Sequence, residues 1–243
     1  MLAHHLQLGA HSLAPSHPPL AHRDFASLYQ TPRTEEETPL FRLGLRGSNV
    51  WYGHIFSVVW IQPTLPDGLV ATSYEDSGWC FVEAALSATL KPSERRVNIS
   101  KYRPGKDASP FLFTLSHDGC LKGSRAPPLM PAKVAHVLEH DKVFFARADV
   151  AVVAGLYATF FDAVAPAQRT LSFSKLGWAD EEAAQLAEVL PFFGKLERLD
   201  LSDNKVGAEG ARALAPTLVH ASVTSVRSPA HRTPPICSPL SLN

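Results

Sequence analysis

Near the C-terminus, one pattern of apolar positions occurs twice at a spacing of 28 residues. Placing residue 171 over residue 199 brings apolar side chains over apolar ones at several positions of the two segments. The matched positions are Leu171 and Phe173 with Leu199 and Leu201, and Leu186, Ala187 and Leu190 with Leu214, Ala215 and Leu218. Self-similarity at a fixed period is typical of repeat proteins, so this part of the chain is predicted to form stacked units.

Each unit changes its apolar period halfway along. Alternation in Leu199-Asp200-Leu201 predicts a short strand with its leucines facing inward, whereas Leu214 and Leu218 share one side of a helix. Asn204 lies at the turn between the two halves, where a buried amide can bond backbone groups of adjacent coils. The pattern therefore predicts units that each consist of a short strand, a turn and a helix.

The segment KLERLDLSDNKVGAEGARALAPTL resembles a leucine-rich repeat of the ribonuclease-inhibitor type. The first unit departs from that pattern, with Leu176 at the position of Asn204 and Trp178 at that of Val206, as first repeats often do. A third unit begins at residues 223–226 and is then interrupted by prolines. Because about three units are needed for stability, either the preceding region caps the array or the chain is a fragment of a longer one.

Upstream of the repeats, the pattern predicts a second α/β unit. A β-rich run covers Ser57 to Ile61, a helix ends at Leu90 before Pro92, and Val97 to Ile99 forms a further strand. Strand, helix and strand in this order favour a parallel sheet. The fold class is therefore predicted as α/β, a partial Rossmann-like domain followed by a short leucine-rich-repeat solenoid.

Two stretches of this upstream region resemble known families. Residues 77–84, SGWCFVEA, are similar to a segment of Toll/interleukin-receptor-like (TIR) domains that opens a helix beside the sheet. Residues 24–30, DFASLYQ, with the acidic stretch at 35–37 and NVWYGH at 49–54, resemble heterokaryon-incompatibility-like domains. Proteins of unicellular algae and protists that join such a region to leucine-rich repeats look like this chain over most of residues 24–218.

In TIR-like enzymes that cleave NAD, the glutamate of this segment is catalytic, and the matching residue is Glu83. Such a carboxylate stabilises an oxocarbenium-like centre as nicotinamide departs, much as glycosidase carboxylates do. The alternative is an ordinary acidic residue near a helix N-terminus. This alternative is favoured because the first strand and the glycine-rich phosphate-binding turn of such domains are absent from the sequence pattern.

Between the two regions, residues 121–169 are interpreted as a linker and a capping helix. Pro131 suits the first turn of a short helix ending at Leu138, and Asp149 to Val164 carry a wide apolar stripe. This second helix is expected to cover the open end of the repeat core. The predicted divisions are residues 1–23 (disordered), 24–120 (incomplete α/β region), 121–169, 170–226 (repeats) and 227–243 (disordered).

Composition excludes several classes of function. Acidic and basic residues number 23 each, so no basic excess favours nucleic acid or anionic lipid. The three cysteines, Cys80, Cys120 and Cys237, form neither a zinc motif nor a disulfide framework, which favours a reducing cytoplasm. The sequence contains no run of 18 apolar residues, so no membrane span is predicted. Neither a metal nor a cofactor is expected.

The leading hypothesis is a cytoplasmic recognition or signalling scaffold that binds a protein partner through the repeats. The outward strand residues Ser172, Ser174, Asp200 and Ser202 are its candidate binding residues. The alternatives are an NAD-cleaving enzyme that uses Glu83 and a truncated, non-functional fragment.

Overall fold

The computed structural model describes residues 7–8, 21–22, 28–29, 32–64, 73–102, 120, 125–220 and 225–227. Of the two predicted disordered tails, it describes the short strands Gln7–Leu8 and Ala21–His22 and the strand residue Arg227. The rest of both tails lies outside the described residues, so the expectation of disorder there stays a prediction.

Helices and short strands alternate along the described chain. The α-helices are α1 (Glu37–Gly53), α2 (Gly78–Leu90), α3 (Pro131–His140), α4 (Asp149–Val164), α5 (Asp180–Val189) and α6 (Ala208–His220). The strands are β1 (Gln7–Leu8), β2 (Ala21–His22), β3 (Val58–Ile61), β4 (Arg96–Asn98), β5 (Thr170–Ser172), β6 (Arg198–Asp200) and β7 (Ser225–Arg227). Between these elements, single 3-10 turns lie at Ser93–Arg95, Ile99–Lys101, Ala165–Ala167 and Leu190–Phe192.

The first sheet has the order β2-β1-β3-β4. β3 and β4 pair in parallel, with Val59 opposite Arg96 and Ile61 opposite Asn98, and α2 connects them. The predicted strand–helix–strand unit is therefore present, with the second strand one residue earlier than expected. β1 adds an antiparallel strand beside β3. The overall class is α/β, built from helices and short, mainly parallel strands.

Helix α2 begins at Gly78 because the Ser77 hydroxyl accepts a hydrogen bond from the Cys80 amide at 3.4 Å. Residues on nearly every side of α2 are buried, among them Val82, Leu86 and Ser87. This burial on several sides comes from α1 and α4, which both pack against α2. The hydrophobic pattern could not show this, because it depends on distant helices.

One continuous core connects α1, α2, α3 and α4 with the repeat units. α4 lies at its centre and buries Val153, Tyr157 and Phe161, as its apolar stripe predicts. Phe161 meets the rings of Phe192 and Phe193 edge-on, with centroids 6.0 and 6.1 Å apart. The helix thus packs against the segment that follows α5, and its predicted role as a cap stays a prediction.

By length and composition alone, Asp149–Ala167 would also be able to cross a membrane. This segment has 19 residues and a mean hydropathy of 1.6, and 28% of it is buried. The buried core helix of a folded domain meets the same criteria. The expectation of no membrane partner stays a prediction.

Arg125 joins the two halves of the fold. Its side chain is 4% exposed and donates to the carbonyl of Ala88 (2.8 and 3.0 Å) at the end of α2, and to that of Ser172 (2.9 Å) in β5. Its guanidinium carbon also lies 4.8 Å from the centre of the Phe173 ring. Burial lowers the pKa of Arg125 to about 9, so it carries its charge at neutral pH. One cation therefore closes a helix C-terminus and holds the first repeat strand.

A second buried basic side chain holds α1 against α2. The Nζ atom of Lys91 is 0% exposed and donates to the carbonyls of His54 and Ser57 and to the Ser57 hydroxyl, the last two at 2.9 and 2.7 Å. Burial, with a smaller effect from the positive charges of Arg96 and Arg95, lowers the pKa of Lys91 to about 7. Folding therefore favours loss of this proton.

We expect the free energy of unfolding to rise between pH 7 and pH 9 with a contribution from Lys91. In this window the folded state has lost the Lys91 proton and the unfolded state keeps it, so stability increases with pH by at most about 1.4 kcal/mol per unit. Urea unfolding at several pH values measures this slope. Lys91→Met should reduce it, whereas replacing the exposed Lys205 by Met should leave it unchanged. Equal slopes for the two variants would show that Lys91 keeps its charge on folding.

Candidate functional site

The repeat strands present one buried and one outward row of side chains. Leu171, Phe173, Leu199 and Leu201 are buried, all at 2% exposure or less. The intervening residues predicted to face outward, Ser172, Ser174, Asp200 and Ser202, are exposed or half-buried. The predicted strand phase is thus confirmed, and the four candidate binding residues lie together on one side of a parallel sheet.

The register between the strands equals the spacing of the sequence pattern. Leu171 lies opposite Leu199 and Ser172 opposite Asp200, a separation of 28 residues. β7 then pairs in parallel with β6, with Val226 opposite Leu199. The third strand expected near residues 223–226 is therefore present at Ser225–Arg227. Three neighbouring strands give the outward row a continuous surface.

β5 and β6 are each followed by a turn with a left-handed residue at the same place. Lys175 has φ 59° and Asp203, which is 28 positions later, has φ 58°. Neither residue is glycine, so the surrounding hydrogen bonds must hold this uncommon conformation. The Lys175 amide donates to the Ser202 carbonyl at 3.0 Å, which ties the first turn to the second strand.

Asn204 satisfies the backbone groups inside these turns. Its Nδ2 donates to the carbonyls of Phe173 (2.7 Å) and Leu201 (2.9 Å). Its Oδ1 accepts from the amides of Leu176 (3.0 Å) and Trp178 (3.1 Å). Bonds from one amide to both units are what the sequence predicts for this position, and they fix the turn on which the outward row depends.

Asp180 links the helical halves of the two units. It is the first residue of α5, yet its Oδ1 accepts from the amide of Gly207, just before α6, at 2.6 Å. A carboxylate there caps an N-terminal amide and complements the helix dipole of the next unit. A Cβ on Gly210 would lie 2.7 Å from the same oxygen, so glycine is needed for this close approach.

Charged residues surround the outward row. Arg198 precedes Asp200 by two positions on the same side, and it donates to the Thr170 hydroxyl at 3.0 Å. The carboxylate of Asp200 accepts from the amide of Ser202 at 3.0 Å, which fixes its orientation. Arg169 forms an ion pair with Glu197 at the strand entrance. The surface combines hydroxyl groups with charges of both signs, so it suits hydrogen-bonded recognition of a polar partner segment.

Glu83, the candidate catalytic carboxylate, lies in a different place, on α2. It is only 8% exposed. Burial and, next, the negative charge of Glu83 raise the pKa of the neighbouring Tyr74 well above its usual value. Arg96 has the opposite effect on Tyr74, and its Nε donates to the Ser87 hydroxyl at 3.1 Å. Glu83 thus belongs to a buried polar cluster with Tyr74 and Arg96. Its catalytic role stays a prediction.

Three buried basic residues that organise this structure gave no signal in the sequence. Lys91, Arg96 and Arg125 are exposed by 0%, 3% and 4%. Lysine and arginine are ordinarily surface residues, and a single sequence does not distinguish the buried exceptions. Among the described residues, no three His, Cys, Asp or Glu side chains are grouped as a metal site would require.

One short segment of the chain is similar in sequence to a known protein. It is 48% identical over 56 residues to the human protein NLRC5, which contains leucine-rich repeats. The match covers 23% of this chain and 3% of NLRC5. No protein-family model matches the chain, and no solved structure matches it. The similarity supports a relationship to leucine-rich-repeat proteins over that segment.

We expect Asn204→Ala to destabilise the chain by about 2–4 kcal/mol, because several backbone groups lose their partners in a buried turn. Urea unfolding followed by circular dichroism measures the loss. Ser202→Ala, in the same turn, should remain within about 0.5 kcal/mol of the parent, as surface substitutions usually do. Similar losses for both variants would mean that the amide bonds do not hold the turn.

Proposed function

We propose that this chain is a cytoplasmic recognition or signalling scaffold whose repeat strands bind a protein partner. The observation that carries this proposal is the outward row formed by Ser172, Ser174, Asp200 and Ser202 on rigid parallel strands. Its turns are fixed by the Asn204 bonds, so little conformational entropy would be lost on binding. The short similarity to NLRC5, a protein with leucine-rich repeats, supports the same general role.

The proposed architecture has a repeat solenoid of the ribonuclease-inhibitor type at residues 170–226. The 28-residue strand register and the strand–turn–helix order support it. We propose that residues 24–120 form the incomplete, Rossmann-like α/β region, which the parallel pair β3 and β4 supports. Residues 121–169 would then act as linker and cap, as the contact of Phe161 with Phe193 suggests. The free thiols of Cys80 and Cys120 are compatible with a reducing cytoplasm.

A small interface implies modest affinity. The strands have three residues each, and a standard interface buries about 800 Å² per partner, more than such a surface offers by itself. We therefore expect the repeat surface to bind short peptide segments weakly, through hydrogen bonds to its hydroxyl and carboxylate groups.

Peptides selected from a random display library on the immobilised full chain test this surface. Ser172→Arg and Ser202→Arg should weaken their binding at least about tenfold, because a long charged side chain blocks the outward row and about 1.4 kcal/mol corresponds to that factor. Ala211→Arg adds the same charge on the exposed side of α6 and should leave the dissociation constant unchanged. Peptides that tolerate both serine variants would place binding elsewhere.

We expect no NAD cleavage by the purified chain. Departure of nicotinamide needs a carboxylate positioned against the ribose, and positioning supplies up to about 7–11 kcal/mol of barrier reduction. Glu83 is buried beside Tyr74, which is an unfavourable place for that contact. Chromatographic detection of nicotinamide against a no-protein control measures the activity. Release that disappears in Glu83→Gln would establish the enzyme instead of the binding module.

A further inference from the structure

Helix α1 carries an apolar stripe on its outward side. Leu40, Leu43 and Val50 are 51%, 67% and 63% exposed. The inward side packs on the core through Tyr52, which is 2% exposed, and through Asn49, whose Nδ2 donates to the Leu156 carbonyl at 2.7 Å. A surface helix ordinarily places polar residues on its outward side, so this exposed stripe needs a partner.

The spacing of the stripe is that of a helix-pairing seam. Positions 36, 40, 43, 47, 50 and 54 alternate in steps of four and three, as the a and d positions of a heptad do. They are occupied by Glu36, Leu40, Leu43, Gly47, Val50 and His54. A Cβ at Gly47 would meet nothing within 4 Å, so the groove beside it is open to a side chain from outside.

The same positions are symmetric about residue 45. An antiparallel copy of α1 centred there places Leu43 over Gly47 of the other chain, where a large side chain meets a small one. Leu40 then meets Val50, and both contacts occur twice because a two-fold interface is self-complementary. We infer that α1 is the interface through which two copies of this chain pair in antiparallel orientation.

Hydrogen-bond complementarity at the ends of the seam, between a carboxylate and an N–H donor, supports a second copy as the occupant. In this register Glu36 lies opposite His54 of the other chain. The Nδ1 atom of His54 accepts from the Phe56 amide at 3.2 Å, so its Nε2 carries the proton and can donate to a carboxylate. The neighbouring Glu37 is already engaged, because its carboxylate accepts from the Thr34 amide at 2.9 Å.

Two features limit the strength of this pair. An α-helix of 17 residues is about 25 Å long, so the seam is short. Arg46 flanks the seam near the two-fold axis, where it approaches its own counterpart. Because the seam is short, the dimer should form only at about micromolar concentrations. About 0.3 M salt shortens the Debye length and screens the repulsion between the two Arg46 side chains, so the dimer should be easiest to observe there.

Sedimentation velocity of the full chain between about 1 and 200 µM tests the pairing, as a dimer of this interface size dissociates in that range. Leu43→Glu should weaken dimerisation at least about tenfold, and Gly47→Lys should weaken it as well. The double variant Leu43→Glu/Gly47→Lys should recover it, because each new carboxylate would face the new ammonium of the other copy. Phe145→Glu, at a residue 94% exposed and outside α1, is the control and should have no effect.

Leu43 is largely exposed, so these variants should keep the parent circular dichroism spectrum. A chain that stays monomeric throughout, a dimer insensitive to Leu43→Glu, or a double variant without recovery would each overturn the inference. A monomer that binds anionic vesicles through Leu43 would also overturn it and identify α1 as a lipid-binding surface.

Discussion

The fold depends on the bonds that Arg125 makes between its two halves. One guanidinium donates to the Ala88 carbonyl at the end of α2 and to the Ser172 carbonyl in β5. The Arg125 carbonyl in turn accepts from Nε1 of Trp178 at 2.7 Å, inside the first repeat unit. A short array of repeats cannot bury its open end by itself, so an anchored neighbour is required. Removing this cation would expose several buried acceptors at once.

In the repeat units, hydrogen bonds from side chains to backbone amides and carbonyls organise the surface more than apolar packing does. The side chains of Asn204 and Asp180 each form a hydrogen bond with the backbone of the neighbouring unit. These bonds hold both the strands and the helices of the two units side by side. Rigid strands carry the polar row, and flexible loops are not needed to present it. The outward side of α1 is a separate apolar surface. A pair of chains joined there would present two repeat surfaces, which raises the effective affinity of weak contacts.

The sequence predicted the local elements well because their signals are local. The limits of α4 agree with the predicted Asp149 to Val164, and α2 ends at Leu90 before Pro92 as expected. The strand phase, the buried leucines and the bonding of Asn204 followed from a pattern that occurs twice. The catalytic hypothesis for Glu83 rested on a short resemblance alone, and the surroundings of that carboxylate came from residues distant along the chain.

By itself, the sequence determined the α/β class, the 28-residue repeat and the row of outward strand residues, because apolar periodicity encodes which sides must leave water. Only the tertiary structure decided which basic residues are buried and which groups they bind. In the sequence, Lys91 and Arg125 resemble ordinary surface residues; in the fold, they donate hydrogen bonds to backbone carbonyls near helix ends. The outward apolar stripe of α1 likewise followed only from the tertiary structure, in which the opposite side packs on the core through Asn49 and Tyr52, since periodicity locates a stripe without stating which way it faces.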